Sequence, residues 1–83
     1  MTNKNNEIIK VDFPVGTSVQ SYPTGCSNIN LIPIGVAIKG TDDQGYFAPS
    51  DISGTFIQTH NDGIYLTRGT YSRDMIAFLV KVS

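Results

Sequence analysis

Apolar positions along this chain recur with period two. In residues 75–82 both alternating sets are apolar: Ile76, Phe78, Val80 and Val82 form one, and Met75, Ala77 and Leu79 the other, which ends in Lys81. Strand side chains alternate between faces, so this segment reads as a strand that leaves water on both sides. Residues 55–60 and 64–68 also have strand character. Asn61-Asp62-Gly63 between them reads as a three-residue hairpin loop with Gly63 in the left-handed conformation. Further strands are expected over 7–13, 16–22, 27–32 (Ile29 and Leu31 on one face) and 34–39 (Ile34, Val36 and Ile38 on one face). Pro33 marks an edge, a bulge or a strand start. Residues 40–45 read as a hairpin turn, 46–48 as a brief strand, 50–53 as a loop or a single helical turn, and 69–74 as a link. No window carries a helical stripe. The expected fold is all-β: a small antiparallel β-sandwich or barrel-like domain over residues 7–83, with a disordered lead or the remnant of a longer protein over 1–6.

The doubly apolar final strand changes this picture. A small two-layer domain has one core, which covers one face of each strand. The second face calls for another copy of the chain. The set containing Phe78 is the more continuously apolar, so it is expected in the core, with Met75, Ala77 and Leu79 at an oligomer interface. Length agrees. A chain of 83 residues buries only about two thirds of its unfolded surface, and its single cysteine, Cys26, has no partner for an internal disulfide. Small β scaffolds without such staples often oligomerise.

Charge narrows the partners. Six Lys plus Arg against seven Asp plus Glu give a net charge of −1, and no basic face emerges for phosphate neutralisation, so nucleic acid is not expected. No apolar run approaches the roughly 18 residues of a membrane helix, and the first residues lack a signal-peptide apolar core. The chain is expected to be made in a cytoplasm.

Catalytic and metal chemistry find little support. His60 is the only histidine. Asp62 lies two residues away across a turn, and no serine sits on a recognisable elbow. One His and one Cys are too few for a zinc site within one chain, although three copies of His60 around a threefold axis would make a ring. Asp42-Asp43 lacks the bidentate Glu of a calcium loop, no carboxylate pair stands out for glycoside hydrolysis, and a Walker lysine is absent. No catalytic residue, metal or cofactor is predicted. Tyrosines in polar turns are the better lead, because a ring face beside hydrogen-bonding side chains suits sugars. The ligand-binding candidates are Tyr46 after the turn and His60, Asn61 and Asp62 at the hairpin tip. Arg68 and Arg73 flank Tyr71 and are read as surface ion-pair partners of Asp74 and Asp62, or as holding an acidic ligand.

The order of motifs resembles the small C-terminal head domains of bacteriophage tail fibres and receptor-binding proteins. The similarity spans about residues 12–83. It runs through DFPVGTSVQSY (Phe13, Pro14, Gly16, Ser18), IGVAIKG, GTFIQTH, GIYLTRGTYSRD and MIAFLVKV. The closing strands of such domains often carry tryptophan, and this chain has none. The resemblance implies a trimer around a threefold axis, in the virion, that contacts the bacterial surface through a glycan or caps a fibre. It carries over no site residue. A structural tail module that binds other fibre or tail proteins is the alternative, and a small carbohydrate-active enzyme a third reading.

Overall fold

The computed structural model describes residues 7–40, 45–49, 54–69 and 72–82. Every regular element among them is a strand: β1 (Glu7–Phe13), β2 (Val19–Gln20), β3 (Leu31–Lys39), β4 (Tyr46–Phe47), β5 (Phe56–His60), β6 (Gly63–Thr67) and β7 (Met75–Lys81). No helix of the described residues is long and apolar enough to cross a membrane. The strands form two antiparallel sheets, β1-β7-β3-β4 and β2-β6-β5. The all-β expectation therefore holds. The suggested helical turn at 50–53 and the lead at 1–6 lie outside the described residues.

The final strand runs up the middle of the four-stranded sheet, paired to β1 on one side and β3 on the other. Its two faces have opposite fates from those expected. Met75, Ala77 and Leu79 point into the chain's own core, with Val11, Phe13, Leu31 and Ile38 beside them and Ile57, Ile64 and Leu66 facing them from the second sheet. Ile76, Phe78 and Val80 are only half-buried. The assignment of Met75, Ala77 and Leu79 to an oligomer interface is thus reversed. Register is the reason. Antiparallel pairing sets Phe13 opposite Met75 and Val11 opposite Ala77, while Lys10 meets Phe78 and Asp12 meets Ile76. The charged positions of β1 need water, so the Phe78 face must be the outer one.

A bulge in β3 explains a second difference. Pairing with β7 shifts between Pro33 and Gly35, so Pro33 lies opposite Leu79 but Gly35 opposite Phe78. One extra residue inverts the alternation. Leu31 is buried before the bulge and Ile38 after it, while Ile34 is left exposed. The expected strand over 27–32 is shorter than it reads: residues 28–30 form a turn and Ile29 is 87% exposed. Likewise only Val19–Gln20 of residues 16–22 pairs. Gly16 (φ 88°) and Gly25 (φ 83°) hold the left-handed positions of turns closed by Thr17 N to Pro14 O (2.9 Å) and Cys26 N to Pro23 O (3.0 Å). A side chain at either would be strained. Cys26 is a free, half-buried thiol packed against the core.

The β5–β6 hairpin forms where expected, with a two-residue loop. His60 pairs with Gly63, leaving Asn61-Asp62 as the turn. Gly63 is absent from the positive-φ glycines. It is needed because β2 crosses it: a Cβ there would lie 2.8 Å from the Gln20 carbonyl oxygen. Gly63→Ala should therefore push β2 off β6 and cost about 1–3 kcal/mol, as overpacking does. Urea denaturation of the variant checks this, and parental stability would remove the steric role.

Candidate functional site

The ligand-binding candidates fall at opposite ends of the domain. At one end, the hairpin tip lies beside the turn that precedes β3, where Asn28 Nδ2 donates to Asn61 Oδ1 (2.8 Å) across 33 residues of sequence. The Tyr22 hydroxyl donates to the His60 carbonyl (2.7 Å). The Tyr65 hydroxyl donates to Asp62 Oδ2 (2.9 Å). The His60 and Tyr65 rings stack at 4.4 Å between centroids, tilted by 57°, and His60 Nε2 lies 3.4 Å from Gln58 Oε1. His60, Asn61 and Asp62 are therefore brought together as expected.

Strand parity builds this surface. Ile57, Ile64 and Leu66 turn inward, so Gln58, His60 and Tyr65 share the outward face of the second sheet. Tyr65 and Gln58 are directly opposite in register. The result is an aromatic pair framed by an amide and a carboxylate, a combination that packs against a sugar face and bonds its hydroxyls. Gln58 was not among the sequence candidates. The alternation of residues 55–60 sets Gln58 on the same face as His60, and that parity was the available signal. Asn28 had no such signal, because its contact is long-range.

Two phenols are perturbed here. The Asp62 carboxylate, by accepting its hydrogen bond, holds Tyr65 above the ordinary value of 10.0. Partial burial pushes Tyr22 in the same direction, with the Asp62 charge adding to it and the Thr59 hydroxyl opposing it. A raised folded pKa means that this stabilisation is intact below the unfolded value and is lost as pH rises through the folded one. Asp62→Asn should lower the Tyr65 midpoint toward that of free tyrosine. Phenolate absorbance during an alkaline titration checks this, and an unmoved midpoint would separate the two groups.

Tyr46 lies at the other end, on β4 beside Lys39. It borders a hollow of about 210 Å³ with Asp12, Pro14, Lys39, Asp74 and Met75. An adjoining hollow of about 290 Å³ shares Lys39 and Asp74 and is lined also by Val15, Gly40, Ser72 and Arg73. Lys39 N donates to the Asp74 carbonyl (2.9 Å), and Asp74 Oδ1 accepts from Val15 N (2.8 Å), so these bonds fix the cleft's walls.

The arginines differ from the surface ion pairs expected. Arg68 turns in between the sheets. Its Nη2 reaches the carbonyls of Phe13 (3.1 Å), Pro14 (2.5 Å) and Thr17 (2.6 Å), and its Nη1 that of Arg73 (2.5 Å). Among the described residues it binds main chain, not carboxylate. The Arg73 guanidinium carbon sits 6.0 Å from the centre of the Phe47 ring. Tyr71 lies outside the described residues. Among the described residues, no group of three or more His, Cys, Asp or Glu is placed to hold a metal ion.

These features define a class: a small two-sheet antiparallel β domain with a polar, aromatic hairpin end and a charged cleft at the other. No family model, curated protein or solved structure matches the chain.

Proposed function

We propose that this chain is a non-enzymatic surface-recognition head of the bacteriophage fibre-tip type, which self-associates, as a trimer, and binds a bacterial surface glycan. The hairpin end carries this reading. There an aromatic pair, Tyr65 and His60, stands among Gln58, Asn61 and Asp62, with side chains fixed by bonds within the domain. Such prior ordering lowers the entropy lost when a sugar binds. The outer face of the four-stranded sheet supports self-association. Ile8, Val80 and Ile32 form one cross-strand row there, with Ile8 53% and Ile32 51% exposed. Around a threefold axis equivalent residues approach one another, which apolar side chains tolerate and charges do not.

Adsorption to host cells tests the reading. His60→Ala, Asp62→Ala and Tyr65→Ala should each weaken adsorption at least tenfold while circular dichroism stays parental. Folded variants that all adsorb like the parent would reject the hairpin end as the recognition surface. Loss of assembly into the particle with no glycan bound at all would favour a structural tail module.

A further inference from the structure

The cleft at the far end is lined by two cationic residues, Lys39 and Arg73. Among the described residues no carboxylate or other acceptor engages the Lys39 ammonium or the Arg73 guanidinium N–H groups; Arg73 lies over Phe47 instead. Their main chains are committed, since Lys39 N bonds Asp74 and the Arg73 carbonyl receives Arg68. The backbone at both positions is therefore fixed, and both residues line the hollow. Ser72 lines the same hollow. The two carboxylates of the cleft are not equivalent. Asp74 spends one oxygen on Val15 N, whereas Asp12 borders the second hollow beside the exposed Tyr46 ring.

We infer that this cleft is a second carbohydrate subsite, selective for sugars that carry a carboxylate or a phosphate. The anionic group sits between Lys39 and Arg73 and accepts from Ser72. Ring hydroxyls donate to Asp12, and the apolar face of the sugar lies against Tyr46. Mixed charge is what such a ligand needs. Cations alone would take any anion, and carboxylates with an aromatic ring would take a neutral sugar. Together they favour a molecule with both features. The adjoining hollows, about 290 and 210 Å³, are each smaller than the roughly 300 Å³ at which ordinary ligand pockets begin, a size for single adjacent residues of an oligosaccharide. The inference rests on the glycan-recognition reading but assigns a different surface from the hairpin.

Binding of the intact chain to three immobilised oligosaccharides of equal length tests it: a hexuronate oligomer, a sugar-phosphate oligomer and a neutral glucose oligomer. At least one anionic oligomer should bind at least tenfold more tightly than the neutral one, with affinity falling as salt is added. Lys39→Gln combined with Arg73→Gln should abolish that preference. Tyr46→Ala should weaken binding of every oligomer that uses the cleft. Comparing the two anionic oligomers separates carboxylate from phosphate. Equal binding of all three oligomers by the parent, or an anionic preference that survives the double substitution, would overturn the inference. If His60→Ala and Asp62→Ala remove the preference while the cleft variants keep it, the cleft assignment fails and the hairpin reading stands. If host adsorption is lost with the hairpin variants but anionic preference follows Lys39 and Arg73, both surfaces are assigned.

Discussion

Arg68→Met should lower stability by about 3–5 kcal/mol, enough to leave the chain near the unfolding threshold at room temperature. Two terms set this size. A hydrogen bond from a charged donor contributes about 1.5–3 kcal/mol, and removing the donor leaves acceptors that must find water or go unpaired. Arg68 serves four carbonyls, on Phe13, Pro14, Thr17 and Arg73. These lie at the end of β1, in the following turn and in the approach to β7, so one side chain ties both sheets at one end. A domain of this length has roughly 4–12 kcal/mol in all. Arg68→Lys should recover little, because an ammonium on a flexible stem cannot present a planar fork to carbonyls in several directions. Urea denaturation of the two variants checks this. A lysine variant within about 1 kcal/mol of the parent would mean that charge, not fork geometry, supports the joint.

This role was hidden in the sequence, where Arg68 and Arg73 look alike, each followed within a few residues by an acid or a turn. Only the fold brings residues 13–17 under Arg68. The same limit applies to Asn28 and Asn61, whose bond spans 33 residues. Local features were more legible. Alternation located β5, β6 and β7, and Asn-Asp-Gly located the hairpin. The loop count was off by one because Gly63 is required for the crossing of β2, a steric demand from a distant strand, and not for a left-handed turn. The β3 bulge marks another boundary of pattern reading, since parity counted through Pro33 and Ile34 assigns the wrong face to one half of the strand. The binding candidates were partly legible for the same reason. His60, Asn61 and Asp62 are sequence neighbours and stay together, whereas Tyr46 was grouped with them by residue type and stands at the other end.

The inverted final strand leads to the second large effect. Leu79→Asp should unfold the chain, and Phe78→Asp should leave it folded but dissociated. Leu79 is wholly buried in the core of the single chain, where an unpaired carboxylate cannot be solvated, and the change also loses the roughly 1.5–3 kcal/mol of a buried leucine. Phe78 stands on the outer face, opposite Lys10 of β1 and Gly35 of β3. A carboxylate there meets water and a neighbouring ammonium, so folding tolerates it. The proposed interface of three copies of this face would bury that carboxylate, so assembly would not tolerate it. Continuity of apolar residues pointed the other way, because Ile76, Phe78, Val80 and Val82 form the bulkier set. The deciding information was in β1, whose Lys10 and Asp12 share a face that must stay accessible at its rim; it became usable only once the register with β7 was known. Circular dichroism separates folded from unfolded variants, and light scattering at tens of micromolar separates assembled from dissociated ones. A parent chain that is monodisperse and monomeric at that concentration would remove the self-association half of the proposed function. A Phe78→Asp chain that stays assembled would move the interface off this face, toward the unpaired edges of β1 or β5, where main-chain groups rather than side chains would join the copies.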